Sequence, residues 1–313
     1  MAGSELVSVP LMESKNESPD SEERFVVCDW GSSHLRASLV TRNQVLYGPS
    51  QSDQGSKALA GRAEKYRAEL SRFLDDFGAA LDIEIRISGM AGSKVGWRET
   101  GYLPTPVGIA DFKDHYWEIR EFPNLRLYGG VNHENPDGSM EVMRGEEFQI
   151  FGLLRDAPEA KVVCLPGTHS KWVRIEEGKI ASIKTAMTGD LFHALCEATI
   201  FREQITSKRF VENAFLAGCS LAIEGNDLSD LFKLRSAFVF SKVKGDEFHS
   251  YLSGFLIANE IRVTAPGDAM VHLCGSLPLV ERYALAMEKM GVSSQIVEGE
   301  DAAIAGHWAL LSI

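Results

Sequence analysis

Short turns rich in glycine and hydroxyl residues occur at matching places in the two halves of the chain. The apolar run 25–29 leads into Trp-Gly-Ser-Ser, and a second strand-like run, 35–40, leaves it. In the second half, the apolar run 161–165 breaks at Pro166 and continues as Gly-Thr-His-Ser. Each turn is followed by further strands and then by a helix, in the order β-β-β-α-β-α. A pattern written twice predicts a duplicated α/β chain with two lobes facing each other across a cleft.

The rest of the chain also alternates between strand-like and helix-like patterns. Alternating apolar residues predict strands, and apolar residues three or four positions apart predict helices. The further predicted strands are 45–47, 83–88, 125–128, one on either side of a turn at 177–178, 271–274 and 294–297. The predicted helices are 57–77, 143–154, one from about 190, 212–223, 246–262, 279–290 and 302–311.

The composition of the chain limits what it can bind. The net charge of −12 argues against broad contact with nucleic acid, which needs a basic surface to displace counterions. No apolar run approaches the roughly 20 residues needed to cross a bilayer, so we expect no membrane contact. Five scattered cysteines without CxxC spacing predict buried thiols in a reducing, cytoplasmic setting. The polar, acidic residues 1–23 are predicted to be a disordered tail.

The first turn has the composition of a phosphate-binding site. Glycine lets a ligand approach the backbone closely, and Ser32 and Ser33 add hydroxyl groups beside Gly31. The carboxylate of Asp29 suits a Mg²⁺ ion held through water. A plain hairpin turn is the alternative for this stretch taken alone. The chain contains neither GxxxxGK[ST] nor GxGxxG, so P-loop and dinucleotide-binding functions have no motif to support them.

Longer blocks of the sequence resemble a known family. The stretch DWGSSHLRASL is similar to the first phosphate motif of the sugar kinase/actin/Hsp70 superfamily, although Ser-Ser-His replaces the more usual Thr-Thr-Asn. The blocks GMAGSKVGWRETGYLPTPVG, VMRGEEFQIFGLL, CLPGTHSKWVRIEEGKI and MTGDLF resemble the 2-dehydro-3-deoxygalactonokinase family. These blocks follow the family's order and cover most of residues 25–191, whereas the C-terminal third fits more loosely.

The resemblance implies both a fold and an activity. The fold would be α/β, with two ribonuclease H-like (actin-like ATPase) lobes of duplicated topology around an ATP cleft. An N-terminal lobe, 24–155, would hold the sugar acid and the first phosphate motif, and the C-terminal helix 301–313 would join it. A C-terminal lobe, 156–300, would hold the second phosphate and adenosine motifs. The activity would be ATP- and Mg²⁺-dependent phosphorylation of the 6-hydroxyl of 2-dehydro-3-deoxy-D-galactonate in galactonate catabolism, giving the 6-phosphate and ADP.

A carboxylate is needed to take the proton of the acceptor hydroxyl. In distantly similar carbohydrate kinases this base lies in a Gly-Asp-Gln string before the second phosphate turn, and Gly145-Glu146-Glu147 occupies that position here. The resemblance therefore implies Glu146 as the base, with Glu147 as the second choice or a partner on the metal side. The alternative is that both carboxylates only stabilise the start of a helix.

The resemblance also implies a set of residues around ATP. The predicted phosphate- and ATP-binding residues are Gly31, Ser32, Ser33, Gly167, Thr168, His169, Ser170, Lys171, Gly275 and Ser276. His169 has the alternative role of a turn residue bonded to the backbone, and Lys171 that of a solvated strand end. The stretch 215–218 is expected to line the adenine base.

A sugar acid needs a cationic or N–H-rich pocket in this otherwise acidic protein. The glycine-rich loop 88–97 and nearby arginines are the candidates. The predicted substrate-binding residues are Arg36, Gly89, Ala91, Gly92, Ser93, Lys94, Trp97, Arg98 and Arg144. Two roles stay open for Trp97 and Trp172, which are contact with the apolar face of the sugar and ordinary packing.

Other functions compete with this interpretation. A related sugar acid such as 2-keto-3-deoxygluconate differs at one stereocentre, which a few pocket contacts decide. An actin-like switch would bind ATP without a small acceptor, but it would not need the GMAGSKVGW loop or the Gly-Glu-Glu string. An exopolyphosphatase-like hydrolase would need a more basic channel than a net charge of −12 suggests. A homodimer is expected from the family alone.

Overall fold

The chain has a mixed α/β fold, as the alternating pattern predicts. The computed structural model describes residues 23–79, 83–265 and 267–311. Apart from Glu23, the predicted tail lies outside these residues. The described residues divide into two compact units. We name the part formed by 23–158, 176–182 and 299–311 the N-terminal unit, and the part formed by 159–175 and 183–298 the C-terminal unit.

The N-terminal unit is built on a six-stranded sheet with the order β3-β2-β1-β4-β7-β6. Its strands are β1 (Phe25–Trp30), β2 (Leu35–Val40), β3 (Val45–Ser52), β4 (Glu84–Gly89), β6 (Tyr116–Ile119) and β7 (Phe122–Tyr128). β1 runs antiparallel to β2 and parallel to β4, so that Trp30 pairs with Gly89. The carboxyl ends of β1 and β4 therefore meet at one edge of the sheet.

Alternation along β1 divides its side chains between two clusters of apolar residues. Val26, Cys28 and Trp30 pack in a large core that includes the apolar side of α2 (Ala63–Asp76). Phe25 and Val27 point the other way and pack against the C-terminal helix α9 (Gly299–Leu311). Because successive strand residues alternate between faces, Asp29 lies on the α9 face of the sheet.

The prediction of one continuous helix over 57–77 is wrong. The structure contains α1 (Ser56–Leu59) and α2, separated by a turn in which Ala60 has φ +49° and Gly61 has φ +70°. The apolar spacing continues across this turn, which is why periodicity alone did not reveal it.

Helices α3 (Glu146–Asp156) and α9 approach each other closely on this face of the sheet. A Cβ at Gly152 would overlap the carbonyl oxygen of Ala302, and one at Gly306 would overlap that of Phe148. The close contact fixes α3, whose first residue is Glu146, against the end of the chain.

A three-stranded sheet in the N-terminal unit was not predicted. It has the order β5-β8-β9 and consists of β5 (Tyr102–Pro104), β8 (Gly130–Glu134) and β9 (Met140–Met143). Strands of three to five residues are too short to show a clear alternation of apolar and polar side chains.

The C-terminal unit is built on a five-stranded sheet with the order β12-β11-β10-β13-β14. Its strands are β10 (Val162–Leu165), β11 (Ser170–Glu176), β12 (Lys179–Ala186), β13 (Val271–Gly275) and β14 (Ser294–Glu298). β10 is antiparallel to β11 and parallel to β13, and β13 is parallel to β14. The carboxyl ends of β10 and β13 thus lie side by side.

Helices cover this second sheet. They are α4 (Thr188–Ala198), α5 (Glu212–Ile223), α6 (Leu231–Val239), α7 (Gly245–Thr264) and α8 (Leu277–Met290). α5 and α7 pack closely because Gly218 faces the carbonyl of Tyr251 and Gly254 faces that of Phe215. Phe215 and Gly218 are buried in this helix contact, whereas Leu216 is half-buried and Ala217 exposed, so a role of 215–218 beside the adenine base stays a prediction.

All five cysteines are free and buried, which confirms the prediction of buried thiols. Within the described ranges, none of the helices is long and apolar enough to cross a membrane.

Candidate active site

Three backbone segments converge around Asp29 in the N-terminal unit. Gly89 ends β4 with φ +96°, and a Cβ there would lie 3.2 Å from the Asp29 Oδ1 atom. Gly145 precedes α3 with φ +105°, and a Cβ there would lie 3.1 Å from the Gly89 Cα atom. Both positions need glycine because of the positive φ and the close approach. The start of α3 is thereby held against the carboxyl ends of β1 and β4.

The two carboxylates at the start of α3 have different environments. Glu146 is half-buried, and its Oε2 atom accepts a hydrogen bond from the Arg144 N–H at 3.0 Å. Glu147 is fully buried, and both of its oxygens accept from the Gly145 N–H, at 2.7 and 2.8 Å. Only Glu146 is accessible from solvent, whereas Glu147 holds the backbone of the helix start.

Burial raises the pKa of Glu147 to about 8, and the neighbouring Glu146 carboxylate adds to the rise. Hydrogen bonds from the local backbone and the charge of Arg144 act in the opposite direction. Near neutral pH, a large fraction of Glu147 is therefore protonated, and the pair carries less than two negative charges.

The first glycine-hydroxyl turn is tight, and the start of α1 supports it through hydrogen bonds. The Gly31 N–H donates to the His34 carbonyl at 2.9 Å. The carbonyls of Gly31 and Ser32 accept from the N–H groups at 56 and 57, at the start of α1. Ser32 is half-buried and Ser33 exposed, so the predicted phosphate-binding residues lie on an open, fixed turn.

The glycine-rich loop and Arg144 lie together in the N-terminal unit. A Cβ at Gly92 would lie 2.9 Å from Arg144 Nη1. The Arg144 guanidinium donates to Thr100 Oγ1 at 2.6 Å and to the Gly101 carbonyl at 2.8 Å. Arg144 Nε and Ser93 Oγ are buried and lack a hydrogen-bond partner within the described part of the chain. These two atoms are available to an acceptor on a ligand.

The other predicted cations are Lys94, Arg98 and Arg36. Lys94 and Arg98 are exposed, and Arg98 Nη1 donates to the Glu118 carbonyl at 3.4 Å. Arg36 pairs across the strands with Asp29, and its Nε donates to Gln51 at 3.2 Å.

The surroundings of Trp97 favour ordinary packing over the predicted substrate contact. Its side chain is 9% exposed, and its ring stacks on Tyr66 with 5.5 Å between centroids. Trp30 and Phe122 pack on its other sides. Ala91 is also buried, and its carbonyl accepts from the Trp97 N–H at 2.7 Å, so this residue shapes the loop through its backbone.

The second glycine-hydroxyl turn lies in the C-terminal unit against the start of α4. The Thr168 carbonyl accepts from the Asp190 N–H at 3.0 Å, and a Cβ at Gly189 would overlap the Gly167 carbonyl oxygen. Thr168 and His169 are exposed, and His169 Nε2 lies 3.7 Å from the Asp190 carboxylate. Gly167, Thr168 and His169 therefore remain open to a ligand.

Two residues after this turn differ from expectation. Ser170 is fully buried, and its hydroxyl lies 2.9 Å from the Tyr283 hydroxyl, so it faces the interior rather than the turn. Lys171 is only 7% exposed, and its Nζ donates to Thr185 Oγ1 at 3.0 Å. A direct contact of either side chain with phosphate is not supported, because both are buried and hydrogen-bonded to other side chains of the unit.

The predicted adenosine turn lies beside the second phosphate turn. A Cβ at Gly275 would lie 3.5 Å from the Pro166 carbonyl oxygen. Gly275 has φ +151°, and Ser276 follows it at the start of α8. The two turns meet because β10 and β13 are neighbouring parallel strands.

A cavity of about 200 Å³ lies next to this pair of turns, entirely within the C-terminal unit. The second turn and helices α4, α7 and α8 line it. Its walls are mainly apolar, with polar groups from Thr188, Ser253, Arg282 and Tyr283. Sequence reasoning missed these residues because three separate helices contribute them.

Known proteins match almost the whole chain. A sequence profile described as 2-keto-3-deoxy-galactonokinase matches residues 29–310. "Probable 2-dehydro-3-deoxygalactonokinase DgoK1" of Rhizobium meliloti (strain 1021) is 30% identical over 295 residues, covering 90% of this chain and 94% of that protein. The 2-dehydro-3-deoxygalactonokinase of Escherichia coli (strain K12) is 30% identical over 289 residues, covering 90% and 96%. The crystal structure of a candidate 2-dehydro-3-deoxygalactonokinase from Sinorhizobium meliloti has a TM-score of 0.84 at 29% identity, covering 91% and 97%.

The fold and these matches define the class of the protein as a carbohydrate kinase. Within that class, the chain belongs to the 2-keto-3-deoxy-galactonokinase family. The family resemblance seen in the sequence is therefore confirmed.

Proposed function

We propose that this protein transfers the γ-phosphate of ATP to the 6-hydroxyl of 2-dehydro-3-deoxy-D-galactonate, giving the 6-phosphate and ADP. The observation that carries the proposal is the half-buried Glu146 carboxylate at the start of α3, directly after Gly145, where a Cβ would lie 3.8 Å from Asp29 Oδ1, in a chain of this family. Such a transfer needs positioned phosphates, an aligned hydroxyl and a group that takes its proton. The N-terminal unit offers the last of these at the start of α3.

Glu146 acts as the general base. One of its oxygens accepts from the Arg144 N–H, which fixes the carboxylate while leaving the second oxygen for the acceptor hydroxyl. As the hydroxyl oxygen attacks the γ-phosphorus, its proton passes to Glu146 and the bond to the ADP oxygen breaks. A base of this kind contributes about 10²–10⁴-fold to the rate. The raised pKa of Glu147 reduces the negative charge beside the reacting phosphate.

The two glycine-hydroxyl turns bind the phosphates. In one unit Ser32 and Ser33 offer hydroxyl and backbone groups beside Gly31, and in the other the residues 167–169 with Gly275 and Ser276 do so. Backbone N–H groups at such turns are suited to phosphate oxygens. The cavity beside 167–168 receives the nucleoside part of ATP, and Arg282 is the positively charged residue in the cavity wall.

Mg²⁺ fits the donor set at Asp29. Within the described residues, no three His, Cys, Asp or Glu side chains are grouped so as to hold a metal ion. Mg²⁺ bound with ATP usually keeps several waters and takes one or two carboxylates together with the phosphates. The half-buried Asp29 supplies such a carboxylate, and the ion would neutralise charge that develops on the transferred phosphate.

The sugar acid binds at the glycine-rich loop. Its carboxylate needs donors in an acidic protein, and the unpartnered Arg144 Nε and Ser93 Oγ atoms lie at this loop. Gly89 and Gly92 allow the close approach of a ligand to the backbone. Lys94 and Arg98 supply exposed positive charge nearby.

We infer that the two units are the two lobes of an actin-like kinase with duplicated topology around an ATP cleft. Support comes from the strand orders, since β3-β2-β1-β4-β7 in one sheet corresponds to β12-β11-β10-β13-β14 in the other. The lobes expected from the sequence are 24–155 with 301–313, and 156–300; the two units differ from them mainly in residues 176–182, which group with the N-terminal unit. We also propose that the protein is cytoplasmic and forms a homodimer.

ADP release with Mg-ATP tests this function. We expect strong stimulation by 2-keto-3-deoxygalactonate and little by 2-keto-3-deoxygluconate or by no acceptor. Glu146→Gln should lower turnover by about 10²–10⁴-fold and leave ATP binding within about twofold, because the amide cannot take a proton. Glu147→Gln is the matched control and should keep most of the turnover.

Three results would contradict the proposal in different ways. Equal ADP release without acceptor would indicate a hydrolase or switch. A preference for 2-keto-3-deoxygluconate would mean that the substrate is a different sugar acid. A large loss in Glu147→Gln with normal turnover in Glu146→Gln would exchange the roles of the two carboxylates.

A further inference from the structure

A buried carboxylate in the C-terminal unit connects the second phosphate turn to the wall of the cavity. Glu260 lies on α7 and is 4% exposed. Its Oε1 atom accepts from the Trp172 indole N–H at 2.8 Å, and its Oε2 atom accepts from the Tyr283 hydroxyl at 2.8 Å. The Tyr283 hydroxyl also lies 2.9 Å from Ser170 Oγ, so Glu260, Tyr283 and Ser170 form a continuous chain of hydrogen bonds.

A carboxylate at this position is not explained by packing. Burial raises the pKa of Glu260, which reflects the free-energy cost of keeping the charge away from water. Side-chain hydrogen bonds from neutral groups oppose that rise; the donors are Thr188, Trp172, Tyr283 and Ser170. An apolar residue of similar volume is often equally good for stability at a buried charged position. The specific benefit of Glu260 must therefore lie in what its hydrogen bonds hold in place.

The groups bonded to Glu260 surround the candidate nucleotide site. Tyr283 and Thr188 line the 200 Å³ cavity. Ser170 is the first residue of β11, directly after the exposed turn 167–169. One carboxylate thus fixes side chains on α4, α8 and β11, the elements on which the turn and the cavity depend.

We propose that Glu260 is a positioning residue for nucleotide binding, which holds the cavity wall through Tyr283 and the second phosphate turn through Ser170. It touches neither substrate nor phosphate. This inference rests on the proposed function, because it assumes that the cavity and the turn 167–169 receive ATP.

The test compares Glu260→Gln and Tyr283→Phe with the wild-type protein. In Glu260→Gln, an N–H₂ group replaces one of the carboxylate oxygens and faces a donor that now bonds to that oxygen. In Tyr283→Phe, the hydroxyl that contacts both Ser170 Oγ and Glu260 Oε2 is removed. Each variant should raise the Kd for Mg-ATP, measured calorimetrically without acceptor, by roughly tenfold, as expected for loss of a hydrogen bond to a charged group. The KM for ATP should rise in parallel, while the KM for 2-keto-3-deoxygalactonate and kcat stay within about threefold.

Two controls separate this role from general destabilisation. Tyr251→Phe removes another buried phenol hydroxyl of the same core, from a residue outside the cavity lining, and should leave the Kd for ATP unchanged. The double variant Glu260→Gln/Tyr283→Phe should be no weaker than the worse single variant, because both changes break one network.

A lower melting temperature with an unchanged Kd for ATP would overturn the inference, as would equal rises in both KM values or fully additive effects. If Glu260→Gln does not fold, Tyr283→Phe alone decides between these outcomes. A wild-type protein that neither binds nor consumes ATP would overturn the proposed function itself. A wild-type protein that phosphorylates normally, with variants that bind ATP normally, would remove only the role of Glu260.

Discussion

At the scale of single residues, two adjacent glutamates differ in exposure and in hydrogen bonding. Glu146 is half-buried and open on one side, whereas Glu147 is fully buried against the backbone of Gly145. The sequence predicted the base within the Gly-Glu-Glu string and left both glutamates as candidates. Their difference depends on which carboxylate the start of α3 turns inward, and sequence spacing does not contain that information.

The raised pKa of Glu147 predicts a pH dependence of stability. The folded state holds this proton up to about pH 8, whereas a glutamate normally loses it near 4.5, so unfolding releases a proton between these values. The contribution of Glu147 to stability is therefore greatest at low pH and is lost as pH rises toward 8. Relative to Glu147→Gln, the wild-type free energy of unfolding should fall by up to about 1.4 kcal/mol per pH unit in this window.

Urea unfolding at pH 5, 6.5 and 8 measures this difference. Glu134→Gln, at an exposed position on β8, is the control and should show a constant difference from wild type. A constant difference for Glu147→Gln as well would mean that Glu147 is already ionised in the folded protein at pH 5.

At the scale of elements, the C-terminal helix supports the helix that carries the proposed base. α9 packs on α3 through two glycines, and the contact leaves no room for a Cβ at either one. β4 adds a polar contact, in which Ser88 Oγ lies 3.3 Å from His307 Nε2 of α9. The position of Glu146 is therefore set partly by residues about 150 positions later in the chain.

Gly152→Ala should reduce both stability and turnover. The added Cβ would overlap the Ala302 carbonyl and push α3 away from α9, which we expect to cost about 1–3 kcal/mol of unfolding free energy. Turnover should fall in the folded fraction because the start of α3 moves. Chemical unfolding and assay at a fixed folded fraction measure the two effects, and Gly306→Ala provides the same test from the other helix. Normal turnover in both variants would show that α9 supports the fold without setting the position of Glu146.

The elements that the sequence predicted best are those with long, regular patterns. Most strands of the two larger sheets and helices α3, α5, α7 and α8 lie within a few residues of the predicted bounds. The three-stranded sheet was missed because its strands are too short to show a period, and the break between α1 and α2 because apolar spacing continues through it.

At the scale of the whole molecule, the composition of residues 1–22 predicts no contribution to the fold. This acidic, proline-containing composition does not predict a packed segment. Deleting residues 1–22 should therefore leave turnover unchanged and shift the melting temperature by less than about 2 °C, which corresponds to well under roughly 1 kcal/mol. Thermal unfolding and the ADP-release assay check both values. A larger loss would mean that the segment contributes to the folded structure or to the site.

The amino-acid sequence by itself determined the mixed α/β class, the family and the segments that we propose carry the chemistry. It did so because strand and helix periods, glycine turns and long ordered blocks are local properties of the chain. Only the tertiary structure decided which side chains of those segments reach solvent. It turned Ser170 toward Tyr283, placed Trp97 in the core, buried Glu147 while leaving Glu146 accessible, and joined Glu260 to the cavity wall. These outcomes depend on contacts between residues far apart in the chain, whose geometry the pattern of any one segment does not specify.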